Sequence, residues 1–497
     1  MAAHHLARAA LATTGADLGC LDHLAHTTSV AASRFSAGNN FDCRTVVDQP
    51  TRRATAPRSS RVTKIPAPSS EAMRRNGYFT LLGLGAPADQ DAFETGKHFF
   101  EMQLKEYEQL QRTGHSEPYA REAFPRSSID ITPARCPEGE LDCYEHYIQH
   151  TYAIRHLLTA NTPLAKRYLS LLETPEFHEI IIPELNVSSP DIAYVAVSEL
   201  IIMQVALMLN SARQVDGVAL LMRNAQILQR LAAGSRSWVN SMNTRKLLFR
   251  QQQFISNALR HQPLLMAYSA NLLQILDIHP TDLGTAIESE AAMSFGMLSS
   301  LAAAGSRTTS NTDSDHLSYP LRSGPTQFVY LPNATMNAGY PYWQGNVALA
   351  RIPATELNTQ INAIRTKVPT RAIGNWLPPW LRLRNPLGAY LLSLNTDMAS
   401  YATYIERTHD VEAHRRLVLL QIKALQENID SAHMTTWLAS QPPELRNPYT
   451  LEPMRWDATA QALVFEGRQD NSQKPEPRNV YRVPLRVSVG AIADPEN

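Results

Sequence analysis

The sequence predicts a mainly α protein: a body of helical hairpins or a bundle, a small C-terminal β-hairpin, and a disordered N-terminal arm. Three observations carry this. From Ser189 to Ala304 apolar residues recur almost without interruption at helical spacing. Near the end, Ala462–Glu466 and Val480–Val489 are strand-like runs flanking a polar turn with Pro475 and Pro477. At the start, residues 1–75 hold none of the 18 Tyr or six Trp, but 15 Ser and Thr. A segment so poor in large apolar side chains cannot offset its ordering entropy.

Order is expected from Asn76. The run NGYFTLLGLGAP breaks at Gly85–Pro87, and Asp91–Arg112 reads as a helix carrying Phe93, Phe99, Leu104 and Leu110. Residues 117–137 read as a loop. Tyr144–Leu172 reads as two helices meeting at Asn161-Thr162-Pro163, with Thr162 as cap and Pro163 in the first turn. Five helices follow: Ile192–Asn210, Val215–Ala233, Ser235–Arg260, Pro263–Leu276 and Thr281–Ala303. Short breaks between helices of this length favour antiparallel packing, and no fixed-period residues mark a repeat family. Residues 305–346, rich in Ser, Thr, Asn, Pro and Tyr, read as a long aromatic-containing loop, packed through Tyr330, Tyr340, Tyr342 and Trp343. Residues 347–497 then supply Thr355–Lys367, one or two helices over Leu387–Gln426, and the β element. The expected domains are therefore the arm 1–75, a helical domain 76–304, the loop 305–346, and the segment 347–497.

Composition excludes several classes. The 46 basic and 46 acidic residues cancel. The balance hides an asymmetry, because residues 1–75 carry ten basic and five acidic groups, leaving residues 76–497 at about −5. An acidic body argues against a nucleic-acid partner. Four cysteines exclude a disulfide-dense scaffold. No Gly-rich phosphate loop, dinucleotide fingerprint, nucleophile elbow or HExxH occurs, so no cofactor is expected. Met1–Gly19 makes a poor secretory signal; the Arg/Ser-rich arm resembles an organelle transit peptide or a non-native upstream extension. Ile192–Leu209 approaches the length of a membrane span. Ser198, Glu199 and Gln204 at its middle favour a buried helix of a soluble core, so no transmembrane span is expected.

The chemistry candidates each have a structural counterpart. Glu199, Glu288 and Glu290 lie in apolar helices, where a carboxylate is either paired or tuned as an acid. Arg213, Lys246, Arg250 and Arg260 are the partners a structural pairing would use. His146 and His150 share a helix face and could bind a metal together, with Asp142 and Glu145 nearby; an ordinary surface helix gives the same spacing. Arg382, Arg384, Arg407, Arg415 and Arg416 read as a solvated basic face. Cys136 and Cys143 flank a loop with Pro137 and Gly139 that can turn back to disulfide distance, and two free thiols fit equally.

Three phrases in the last 120 residues carry a resemblance: NPLGAYLL (Asn385–Leu392), YIERTHDVEAHRRLVLLQ (Tyr404–Gln421) and NPYTLEPMRWDATAQALVFEGR (Asn447–Arg468). With NGYFTLLGLGAP and the cysteine loop upstream, the series resembles an uncharacterised family of proteobacterial cell-envelope proteins, across roughly residues 76–490. The matching positions are Asn385, Pro386 and Gly388; Tyr404, Arg407 and Asp410; and Asn447, Pro448 and Tyr449. That family has no established activity and lends no catalytic residues. The resemblance implies an N-terminal apolar anchor, absent from residues 1–75, and a periplasm-facing body in which Cys136 and Cys143 form a disulfide. The function expected on this basis is a non-catalytic binding or scaffold protein whose partner is a protein or another envelope component. The alternative is an envelope hydrolase using Glu288 or Glu290. With this N-terminus taken as native, the location would instead be cytoplasmic.

Overall fold

A computed structural model of the chain describes residues 68–113, 129–137, 142–182, 192–277, 283–306, 330–367, 384–395, 398–468 and 480–485. All belong to one unit, Ser59–Asn497. The expected disordered arm lies outside the described residues apart from its last turn, and that turn is a helix. α1 (Ser70–Arg75) is capped by Ser69, whose hydroxyl accepts from the Ala72 amide, and it buries Met73. Order therefore starts before Asn76.

The chain is mainly α. α2 (Tyr78–Leu82) occupies the NGYFTLL run and is buried along its whole length. α3 (Ala92–Thr113) crosses it so closely that side chains are excluded. A Cβ on Gly96 would sit 1.8 Å from the Phe79 carbonyl oxygen, and one on Gly83 would sit 1.9 Å from that of Ala92. Phe79 and Phe100 fill the remaining space edge to face, 5.3 Å apart. Gly96→Ala should therefore lose about 2 kcal/mol, because overpacking against unyielding backbone outweighs the gain in helix propensity. A urea midpoint unchanged from wild type would show that the crossing can open without cost.

Between Cys143 and Ser170 there are three helices rather than two: α4 (Cys143–Gln149), α5 (Thr151–Ala160) and α6 (Thr162–Ser170). Thr162 is the first residue of α6 and not its cap, its hydroxyl being donated back to the Leu158 carbonyl at 2.8 Å. α7 (Ile192–Leu209) is central and apolar on every side, with Val197, Leu200, Ile201, Met203 and Val205 fully buried. That is why it resembles a span; yet no helix among the described residues is long and apolar enough to cross a membrane. α8 (Gln214–Gly234) and α9 (Trp238–His261) pack on α7.

One buried polar relay joins four of these helices. The Tyr168 and Ser198 hydroxyls donate to Asn224 Oδ1 at 3.0 and 3.1 Å, and Asn224 Nδ2 donates to Gln251 Oε1 at 2.9 Å. Buried polar groups satisfied in this way fix the register of the helices they join.

The expected helix Pro263–Leu276 is a 3₁₀ turn, Pro263–Tyr268, followed by α10 (Ser269–Leu276). α11 (Leu283–Ser306) pairs with α12 (Pro332–Arg351), which corrects the loop expected over 305–346. Residues 307–329 lie outside the described residues. From Pro332 onward the chain is helical despite Pro341. Pro341 and Asn337 are both exposed, so the carbonyl freed by the missing amide proton faces the solvent side, while Tyr342, Trp343 and Leu349 bury the opposite face.

α13 (Ala354–Lys367), α14 (Pro386–Asn395) and α15 (Met398–Gln426) follow. After the short α16 (Met434–Ala439) comes an antiparallel sheet of three strands, where two were expected. β1 (Arg455–Asp457) pairs with β2 (Ala462–Glu466), which pairs with β3 (Val480–Pro484). Four successive residues of β2, Ala462 to Phe465, are buried, and α15 packs against both β2 and β3.

Candidate functional site

The densest group of buried ionisable side chains lies where α15 meets α9 and the sheet. Eight of the eleven residues Glu406–Arg416 can carry charge. Glu406, Asp410 and His414 recur every fourth residue and so share one face, which Gln421 continues. The structure buries all four.

Asp410 is fully buried at its centre. The Tyr449 hydroxyl lies 2.7 Å from Asp410 Oδ1, the Arg468 amide donates to the same oxygen at 3.2 Å, and the Tyr481 hydroxyl reaches Oδ2 at 3.5 Å. Gly467 leaves room for the carboxylate, since a Cβ there would sit 2.3 Å from Oδ2. The Arg468 guanidinium stands 4.2 Å above the Tyr449 ring, and Tyr449, Phe465 and Tyr481 stack in sequence behind it at 6.1 and 5.8 Å. Burial first, then the Asp410 charge, push the ionisation of Tyr449 far above a tyrosine's ordinary value. Tyr449 is thus held as a proton donor to Asp410.

The neighbouring histidines are held neutral. Burial pushes His414 down to about 3, with its Nδ1 3.2 Å from Gln252 Oε1. Burial pushes His409 down to about 4; Glu412 opposes this, and Arg416, Arg245 and Arg468 reinforce it. Burial alone would raise the Glu412 carboxyl, but hydrogen bonds and charges from Arg415 (2.7 Å) and Arg416 (2.9 Å) outweigh it and leave it below the carboxylate range. This corrects the solvated basic face at Arg415 and Arg416. Arg415 is buried and donates to the Leu276 carbonyl, and Arg416 is tied to Glu412 and the Arg446 carbonyl. Arg384 and Arg407 are exposed, and Arg382 lies outside the described residues.

The residues that carry the envelope-family resemblance have structural work here. Asn385 accepts from the Leu331 and Gly388 amides through Oδ1 and donates to Thr335 Oγ1 at 2.7 Å, so it caps α14 and ties it to the start of α12. Gly388 is required by the same contact, because a Cβ would fall 2.0 Å from Thr335 Oγ1. Asn447 accepts the Tyr449 amide at 2.9 Å, a side-chain-closed turn that aims Tyr449 at Asp410. Tyr404 packs edge-on against Trp238 at 5.2 Å, beneath the Arg407 guanidinium.

A second group surrounds the cysteines. Cys136 and Cys143 are joined by a disulfide, their Cα atoms 5.4 Å apart, and both are buried. Beside one sulfur, Arg135 reaches the buried Glu199 of α7 at 3.1 Å. Beside the other, Asp142 caps α4 by accepting the Glu145 amide, and it binds His261 Nε2 at 2.6 Å and Arg260 Nη1 at 3.2 Å. The Cys143 amide donates to Asn257 Oδ1 at 3.1 Å, and Tyr144 stacks on His261. Glu199 is therefore paired, with a partner that the four arginines and lysines considered for it did not include.

The remaining candidates fall apart. Glu288 is half exposed on the surface, in an ion pair with Arg351 at 3.0 Å, so it is not a core carboxylate. Glu290 is partly buried, and that burial raises its carboxyl above the usual range. His146 and His150 do share a face, with rings stacked 4.1 Å apart, but His150 Nδ1 is taken by the His146 carbonyl at 2.7 Å. Among the described residues no three His, Cys, Asp or Glu side chains converge as a metal-ligand set.

Compared with protein-family models, curated proteins and solved structures, the chain matches none.

Proposed function

We propose that the chain is a non-catalytic binding or scaffold protein of the cell envelope, with its body in an oxidising compartment. The observation that carries this reading is the use its buried carboxylates are put to. Asp410 receives Tyr449 and the Arg468 amide. Glu179 receives the Arg236 and Ser237 amides and Asn240 Nδ2, at 2.6 to 2.7 Å. Glu199 receives Arg135. General acids and bases need a lone pair or proton within reach of a substrate; these groups spend theirs on holding helices together. The bridged, buried cysteines support the oxidising compartment, since such bonds persist where thiols are not kept reduced.

The hydrolase reading draws on Glu290 alone, whose raised carboxyl suits a general acid. Glu288, the alternative to it, is engaged with Arg351 at the surface.

Two measurements test the proposal. In cells of the native host opened directly into an alkylating reagent, Cys136 and Cys143 should stay unlabelled and the protein should sediment with the envelope. Labelled thiols in the soluble cytosol would overturn the location. A Glu290→Gln chain should restore the wild-type phenotype to a deletion strain; a folded variant that fails to do so would install the hydrolase instead.

A further inference from the structure

We infer that the Cys136–Cys143 bridge is a redox latch that seats α4 on the bundle, and that its lever is the buried carboxylate of Glu199. The inference rests on the oxidising compartment proposed above only for its setting; the latch itself is testable in purified protein.

The bridge holds two charged arms in place. Arg135, immediately before Cys136, stretches over α7 to Glu199, whose side chain is 4% exposed while that of Arg135 is 39% exposed. Asp142, immediately before Cys143, clamps to Arg260 and His261 at the end of α9. The bridge thus fixes the spacing of two ion pairs that grip different helices. An exposed arginine gains little from an ion pair, and its side chain readily trades that contact for water. A buried carboxylate has no such exchange, and loss of its partner leaves an uncompensated charge. The cost of releasing Arg135 therefore falls on Glu199. Tyr147 of α4 is buried in the same place; burial, with the Glu199 charge next, raises its ionisation, and Arg250 and Arg135 oppose this.

The chemistry is thiol–disulfide exchange. Two reductant thiols transfer two electrons and two protons to the bridge, giving Cys136 and Cys143 thiols and one reductant disulfide; closure is the reverse, with a small-molecule disulfide as oxidant. Both cysteines are buried, so exchange requires α4 to lift from the bundle, and closure precedes its final seating.

The test uses the full chain, unfolded and refolded in dithiothreitol or in oxidised glutathione, as wild type and as Glu199→Gln. Reduction should lower the wild-type Tm by several degrees and speed amide exchange over Cys143–Gln149 by tenfold or more. It should also open tryptic cleavage after Arg135. In Glu199→Gln, where no charge is left stranded, the fall in Tm on reduction should be about half as large. A Cys136→Ala/Cys143→Ala chain should reproduce the reduced state without reductant. Equal losses in wild type and Glu199→Gln would overturn the lever, and unchanged exchange over α4 would overturn the latch. Neither result bears on the compartment, which the fractionation decides.

Discussion

Replacing Asp410 with alanine should destabilise the protein by about 2–5 kcal/mol, through the buried hydrogen-bond donors it leaves unserved. The side chain is wholly buried, and its loss would leave the Tyr481 hydroxyl and the Arg468 amide facing a cavity, with Tyr449 falling back on the Glu406 carbonyl 2.9 Å away. Unmade buried hydrogen bonds cost about 1–3 kcal/mol each, so the two donors left without an acceptor account for the total. Asp410→Asn keeps one oxygen for Tyr449 and should lose less than half as much. Urea unfolding followed by far-UV circular dichroism measures both. An alanine variant within 1 kcal/mol of wild type would mean that water already serves these donors.

Acid should unfold the protein unusually early, and His409 and His414 are the reason. In the unfolded chain each takes up a proton near the ordinary histidine value of about 6.5. In the fold they do so only at about 4 and about 3. Between those limits the unfolded state binds more protons, so stability falls as pH falls. Each depressed histidine contributes about 1.4 kcal/mol per pH unit, so the pair costs about 5 kcal/mol between pH 6.5 and 4.5. Glu290 acts in the opposite sense, because a raised carboxyl gains stability as pH falls toward its ordinary value. Glu412, held low, adds to the loss once pH drops below that value. His414→Gln, whose amide can meet Gln252, should remove about half the slope. A flat stability profile from pH 6.5 to 4.5 would refute the assignment.

How far the sequence exposes this arrangement depends on which side of each helix is asked about. Where polar and apolar residues segregate, as in α8 and α9, the predicted bounds agree with the structure to within three residues. Where burial surrounds the helix, periodicity no longer distinguishes inside from outside. α7 is apolar all round and mimics a span. α15 has a polar face that looks solvated, but α9 meets it with the buried Gln252 side chain at His414 and the Ser256 carbonyl at Gln421. Polar-to-polar matching between two helices leaves no mark in either one alone. α12 was hidden for another reason: Pro341, Gly339 and Gly345 are loop signals, and only the packing of Tyr342 and Trp343 overrides them. The Asp410 centre draws on residues 39 to 71 positions apart. Its members were visible as phrases of the envelope resemblance, but the meeting of Tyr449 with Asp410 was not.

Gln421 gives the end of the described chain an importance out of proportion to its size. Its side-chain amide donates to the Ser256 carbonyl at 3.2 Å and to that of Pro484 at 2.8 Å, and so joins α15, α9 and β3. Tyr481, on the same strand, covers Phe249 and His414. Synthesis delivers a chain from its N-terminus, so α9 is made more than 200 residues before the strand that closes over it. Until residue 485 emerges, the charged face of α15 has no lid and its carboxylates and histidines remain wet. The protein must wait, largely helical and still open, for β3. Quality control that meets the nascent chain in that interval would find polar helices rather than the greasy surface that usually marks an unfinished fold.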